Sequence, residues 1–170
     1  MASVDEGSYA EFVRTGYGGW FRYAVALTGG DRDRAYDLVQ EALARCLRRA
    51  GKGWTGLSAA YVHAAVLNVF RDGLRRGERS LRRELRVAVP DVVPDVADPV
   101  VDRAQVMRLL GQVSARQREV LAARYLLDLS ERDAARLLGC SVGSVKTLTS
   151  RGLARLRAVL GTRKGAGVDG

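Results

Sequence analysis

All three prolines of this 170-residue chain, Pro90, Pro94 and Pro99, fall in the single run Val89 to Pro99. Proline lacks a backbone donor, fixes φ and pushes the residue before it out of the helical region. The run therefore reads as an extended, flexible linker. On both sides of it apolar residues recur every three to four positions, the period of a half-buried helix. The fold class expected is all-α: two small helical domains, residues 5–79 and 101–163, joined by a flexible linker at 80–100. Hydrophobic residues make up 47% of the chain and aromatics 6%. Together with a scarcity of β-branched runs, this favours helix-on-helix packing over sandwiches or barrels.

Local signals divide each half. A first helix is expected over Tyr9–Leu27, weakened by Gly16, Gly18 and Gly19 and ended by Thr28-Gly29-Gly30. Asp31 can cap a second, running to about Ala50, whose Ala35, Leu38, Val39, Ala42, Leu43, Cys46 and Leu47 form one apolar face; Gly51-Lys52-Gly53 stops it. A third starts after Ser58, buries Val62, Ala65, Val66, Val69, Phe70 and Leu74, and dissolves into the arginines at 75, 76, 79, 82, 83 and 86. Beyond the linker, one helix spans about Val101 to Gln112. A second opens at Ser114, which forms a capping-box pair with Gln117. Ser130 and Asp133 open a short helix that ends at Gly139, and Ser141 caps a last one reaching about Leu160.

Charge narrows the class of partner. Lys and Arg number 28 against 19 Asp and Glu, a net charge of +9, which favours association with polyanions such as nucleic acid. The stretch Leu129 to Leu156 gives that charge a geometry: a short helix, a Gly139 turn and a second helix, the pattern of a helix-turn-helix. Ala135 lets the pair approach closely, and Val145 and Leu148 pack the second helix onto the first. Val145, Thr149, Gly152, Leu153 and Leu156 share its inner face. The opposite face carries Thr147, Ser150, Arg151 and Ala154, flanked by Ser144, Lys146, Arg155 and Arg157. Hydroxyls, small residues and cations on one outward face suit a major groove; the plainer alternative is a solvated surface helix.

Two further groups stand out. Tyr61, Ala64, Asn68, Arg71 and Arg75 fall on one stripe of the third helix, nearly opposite its apolar side. An aromatic, an amide and guanidiniums in line can stack on, hydrogen-bond and neutralise a single strand, although such a stripe taken alone is more often an ordinary polar face. On the second helix Asp33, Asp37 and Glu41 follow at intervals of four, beside Gln40. Like charges so spaced repel, so either a basic partner meets them or Arg34, Arg45 and their neighbours neutralise them locally.

The rest excludes. The chain has one histidine, His63, beside an apolar edge where packing is the simpler role, and two cysteines, Cys46 and Cys140, far apart in apolar patterns. Two buried thiols in a reducing cytoplasm are expected, rather than a disulfide or a metal pair. No nucleophile, base and orienter occur together, and no metal cluster or phosphate loop is present, so no catalysis, metal or cofactor is expected. No apolar run approaches a membrane span, and Asp5 and Glu6 do not suit a signal peptide.

These residues resemble the extracytoplasmic-function (ECF) sigma factors, in the short actinobacterial form, over about Tyr9 to Arg157. Asp33-Arg34-Ala35-Tyr36-Asp37-Leu38-Val39-Gln40-Glu41-Ala42 resembles the family's D-A-E-D-L-V-Q-E signature. Ala60-Tyr61-Val62 with Asn68-Val69-Phe70-Arg71-Asp72 resembles its A-Y-V…N-x-x-R-D segment. Gln117-Arg118-Glu119-Val120-Leu121, Leu137-Leu138-Gly139-Cys140-Ser141 and Ser150-Arg151-Gly152-Leu153-Ala154-Arg155-Leu156 resemble its region 4. The resemblance implies a promoter-specificity subunit of RNA polymerase. Asp37, Leu38, Gln40 and Glu41 would dock on the clamp of the β′ subunit. Tyr61, Asn68, Arg71 and Arg75 would meet the melted −10 element, Asn68 beside a flipped base. Ser144, Lys146, Thr147, Ser150, Arg151 and Arg155 would read the −35 duplex. The partners implied are core RNA polymerase and promoter DNA, with an anti-sigma factor admitted by the class, and with no membrane and no small-molecule substrate. Tyr36, Gly73, Leu148 and Gly152 depart from the family pattern. A stand-alone helix-turn-helix regulator binding duplex DNA as a dimer would explain Leu129 to Leu156 but leave the other two groups unused; a nucleic-acid enzyme lacks acidic metal ligands.

Overall fold

The computed structural model describes residues 6–50, 57–81 and 103–165. The Val89–Pro99 linker, the Gly51-Lys52-Gly53 stop and the arginines at 82, 83 and 86 lie outside these residues. Among the described residues all regular structure is helical: α1 (Glu6–Leu27), α2 (Arg32–Ala50), α3 (Ala59–Leu81), α4 (Arg103–Leu110), α5 (Ala115–Leu121), α6 (Glu131–Leu138) and α7 (Val142–Gly165). α5 continues directly into a π-helical turn, Ala122–Leu126. No described helix is long and apolar enough to cross a membrane.

Short-range hydrogen bonds fix the helix starts. Asp31 accepts from the Arg34 amide at 2.9 Å, Ser58 from Tyr61 at 3.2 Å, Ser130 from Asp133 at 3.1 Å and Ser141 from Ser144 at 3.1 Å. Ser114 and Gln117 form the full reciprocal box, at 3.3 and 3.1 Å. Each such cap satisfies a donor that the helix leaves orphaned and contributes about 1 kcal/mol. Gly139 closes α6 in the left-handed region, φ 65°, where a side chain would be strained.

α1, α2 and α3 pack on one another, as do α5, α6 and α7. The two groups are not separate bodies. α1 also lies against α4, α5 and the π-helical turn, and the buried side chains run as one core from Trp20 and Tyr23 through Phe70 to Val120 and Val145. Gly16 accommodates the Trp20 ring, which lies where a Cβ at that position would be, 2.3 Å away. Between the modules Gly29 (φ +69°) meets the backbone of Gly111, and a Cβ at Gly29 would stand 2.8 Å from the Gly111 Cα.

Two expectations need correction. α3 does not dissolve after Leu74; it runs unbroken through Gly73 to Leu81. The cost of its two helical glycines, Gly73 and Gly77, about 1 kcal/mol each, is small beside the packing of α3 on α2. Leu47 is 39% exposed rather than buried, because the helical rotation brings it round beside Tyr36, on the outer side of α2.

Candidate nucleic-acid interface

α6 and α7 form the expected helix pair. Val145 is fully buried, Ala135 nearly so, and Leu148, Leu153 and Leu156 pack against the core. Gly152 permits the close crossing of α7 over α5: a Cβ there would lie 2.9 Å from the Leu121 Cδ1 and 3.4 Å from the Gln117 Cβ. That contact gives a structural reason for glycine at a position that departs from the family pattern. With its inner face so fixed, α7 turns Ser144, Lys146, Thr147, Ser150, Arg151 and Arg155 outward, all of them exposed. Lys146 reaches Glu131 at 3.6 Å, and Arg155 donates weakly to the Gln112 carbonyl at 3.4 Å. Beside them α6 adds Arg132 and Arg136, both exposed, on a cleft of about 1010 Å³ that also includes Ser130 and Ser141. Those two arginines were not singled out from the sequence; their i, i+4 spacing along α6 was the available signal.

The α3 stripe is less uniform. Tyr61 and Asn68 are exposed. With Ala64 and Ala65 they line one wall of a recess of about 340 Å³, whose other wall is Arg45, Cys46 and Arg49 of α2. A hollow of that size, with an amide and a phenol at its mouth, suits a small planar group. Arg45 and Arg49, one turn apart on α2, were missed as contributors. Arg45 donates to Asp72 at 2.7 Å and to Glu41 at 2.8 Å. Hydrogen bonds from Arg45 and then Arg75 hold the Asp72 carboxyl below the usual aspartate range. Arg75 stays largely exposed.

Arg71 is placed differently from the expectation of a free strand-binding cation. Its guanidinium forks onto Glu119, Nε to Oε1 at 3.1 Å and Nη2 to Oε2 at 2.7 Å, and Nη2 also donates to the Leu138 carbonyl at 3.0 Å. Glu119, only 2% exposed, is buried in the core and also receives Arg116 at 3.2 Å. In this arrangement Arg71 joins the two modules and does not face solvent with Asn68.

On α2, Asp37 and Gln40 are exposed and Glu41 half-buried. Glu41 pairs with Arg45 and Arg48, and the Arg45 hydrogen bond is the main reason its carboxyl titrates below the ordinary value. The local-neutralisation reading thus holds for Glu41, while Asp33 and Asp37 have no cation partner among the described residues. Leu38 requires correction as a docking residue: at 6% exposure it belongs to the core, because it sits on the same helix side as Ala35, Val39 and Ala42. Tyr36, 52% exposed, stands on the outer face instead. His63 packs edge-on against Tyr23, ring centroids 5.3 Å apart. Cys46 is buried and Cys140 half-buried, both as free thiols.

A family model described as Sigma-70, region 4 matches residues 103–156, the span of α4 to most of α7. The chain is 33% identical over 168 residues to an RNA polymerase sigma-E factor of Streptomyces avermitilis, covering 96% of this chain and 90% of the relative. It is 30% identical over 140 residues to the ECF RNA polymerase sigma factor EcfG of Rhodopseudomonas palustris, covering 81% of this chain and 77% of that one. Among solved structures it resembles the sigma factor RpoE of Bartonella quintana, in complex with the anti-sigma factor NepR. The TM-score is 0.73 at 24% identity, over 90% of this chain and 96% of the other. With relatives this similar along nearly its whole length, the chain belongs to the ECF RNA polymerase sigma factors.

Proposed function

We propose that this sigma factor docks on core RNA polymerase through the outer face of α2, reads one promoter element as duplex with α7 and holds the other as an unwound strand on α3. The observation that carries the reading is the outer face of α7: Thr147, Ser150 and Arg151 are exposed and make no side-chain hydrogen bond or ion pair among the described residues. A recognition helix lies in the major groove with its outer side chains on base edges. Arg151 can fork onto a guanine, Thr147 and Ser150 can meet any base, and Ser144, Lys146 and Arg155 hold phosphates. Displaced counterions then make the affinity fall with salt.

On α3 a base leaves its stack for the recess beside Asn68. Extrusion costs a few kcal/mol, roughly, and is offset by stacking and by hydrogen bonds to the base edge. Tyr61 supplies the stacking surface and Asn68 the donor and acceptor. Arg75, with Arg71 once it is released, neutralises the strand backbone. On α2, Asp37 and Gln40, with Asp33 and Tyr36 alongside, present an acidic and partly apolar face to the basic coiled coil of the polymerase clamp; Glu41 contributes at the edge. The chain works in the cytoplasm, carries out no chemistry of its own, and has an anti-sigma factor as a further partner, by analogy with the NepR-bound relative.

Transcription in vitro tests this reading. Core polymerase with this protein on fragmented genomic DNA should give transcripts from a small set of defined starts that core enzyme alone does not produce. Co-elution with core polymerase should accompany it. Absence of both, with tight binding of a palindromic duplex by a dimer, would replace the sigma reading with that of a stand-alone regulator.

A further inference from the structure

We infer that Glu119 is an internal stand-in for a DNA phosphate: it latches the two modules together by occupying Arg71, so that closure of the free protein and strand binding on α3 exclude one another. This deepens the reading of α3 given above and rests on it. Glu119 is the one charged side chain buried among the described residues. Within its own module its one cation partner among the described residues is Arg116 at i−3, a single contact of 3.2 Å from a largely exposed side chain. Across the module boundary the fit is specific. A two-pronged guanidinium–carboxylate fork, at 3.1 and 2.7 Å, uses the same donors in the same plane that a phosphate takes. Arg71 cannot hold both.

A second tie acts beside the first. Arg118, one residue before Glu119, donates to the Leu27 carbonyl at 2.9 Å, an orphan acceptor at the end of α1, and to the Val113 carbonyl at 3.3 Å. The Gly29–Gly111 contact brings the backbones together where any side chain would hold them apart. Two arginines reaching in opposite directions over the boundary, with a glycine pair between them, form a fitted junction rather than a casual touch. That junction has to open in use. A compact chain of this length has a radius of gyration of about 15 Å, whereas elements about 25 base pairs apart on duplex DNA stand roughly 85 Å from each other. The closed form can reach one of them only.

Small-angle scattering and strand binding on the full-length protein test the latch. Glu119→Gln keeps the shape and removes the charge. It should raise the radius of gyration above that of the wild type and tighten binding of a 12-nucleotide single-stranded DNA of mixed sequence about tenfold, since a closed population lowers apparent affinity by its share. Arg118→Ala, which leaves Arg71 untouched, should act in the same direction, and it serves if Glu119→Gln loses helical content by circular dichroism. An unchanged radius in both variants would overturn the latch. A larger radius with unchanged strand affinity would overturn the competition for Arg71. In either case transcription with core polymerase decides the sigma reading separately.

Discussion

α7 and α3 both present polar residues on the side away from an apolar stripe, yet they use them differently. The outer face of α7 is free: Thr147, Ser150 and Arg151 are exposed and make no side-chain hydrogen bond or ion pair among the described residues. On α3 and the adjoining α2, the same side chains that could meet a partner also hold the fold. Arg71 binds Glu119, Arg75 and Arg45 share Asp72, and Glu41 is tied to Arg45. The difference follows from position. α7 packs on α4, α5 and α6 through its inner face, whereas α3 packs on α2 and α1 and reaches the second module through Arg71, so part of its stripe borders an interface. A recognition face can therefore change on α7 at little structural cost, while a change on α3 alters stability and recognition together.

The largest effect expected under this comparison is at Leu38. Leu38→Ala removes a side chain buried between α2 and its neighbours and should destabilise the protein by about 2–5 kcal/mol. Asp37→Ala, one residue away and exposed, should change stability by no more than about 0.5 kcal/mol while weakening core polymerase binding. Urea denaturation and co-elution with polymerase read the two quantities. Equal stabilities for the two variants would show that α2 does not divide into a core side and a docking side.

Next in size is Asn68→Ala. Asn68 is exposed at the mouth of the recess and has no protein partner among the described residues. Its loss should leave folding and polymerase binding intact but slow open-complex formation about a hundredfold, because a flipping cost of a few kcal/mol is left without its compensating hydrogen bonds. Permanganate footprinting of melted thymines measures this. Unchanged melting would remove Asn68 from the strand site and reduce the α3 stripe to a polar surface.

Arg151→Ala sharpens the contrast from the other side. On a free face it should cost about 1–3 kcal/mol in binding to the upstream duplex element if it forks onto a base, with no measurable change in the protein's melting temperature. A loss of stability would contradict the separation of duties on α7.

Most of the fold could be read in sequence because its signals are local. Asp31, Ser58, Ser114, Ser130 and Ser141 each act within three residues, and Gly139 acts on its own backbone. What could not be read depends on distance. Arg71 and Glu119 are 48 residues apart, and helical periodicity places each on a face without saying which faces meet across the linker. The same holds for Gly29 against Gly111. Gly152 shares the inner face of α7 by periodicity, but that it admits Leu121 is a property of the crossing with α5. Leu38 was misplaced for another reason. The segment it belongs to resembles the family's signature as a block, and a block match does not separate the residues that dock from those that pack beneath them. The α2 wall of the recess escaped notice because Arg45 and Arg49 face α3 only once the helices cross.

The smallest effect expected is one of pH, and it tests whether the packed side of α3 is as dry as the α7 face is wet. His63 rests edge-on against Tyr23, its Nε2 buried with no hydrogen-bond partner. Burial pushes its pKa below the ordinary histidine value, against a smaller opposing effect from a hydrogen bond to the Ala59 backbone. The folded protein thus disfavours the imidazolium, while the unfolded chain takes up a proton near the ordinary histidine value of about 6.5. Below that pH the unfolded state binds more protons, so stability is complete above it and declines as pH falls through it. The carboxyls with lowered pKa values, Glu41, Asp72 and Asp133, lose their contribution only in more acid solution, which leaves the interval from pH 7 to 5 to His63. His63→Phe keeps an aromatic ring against Tyr23 and removes the titration. Denaturation midpoints for wild type should drop between pH 7 and 5, and those of His63→Phe should drop less. Parallel declines would mean that the imidazole takes its proton inside the fold, and that the inner side of α3 is open to water.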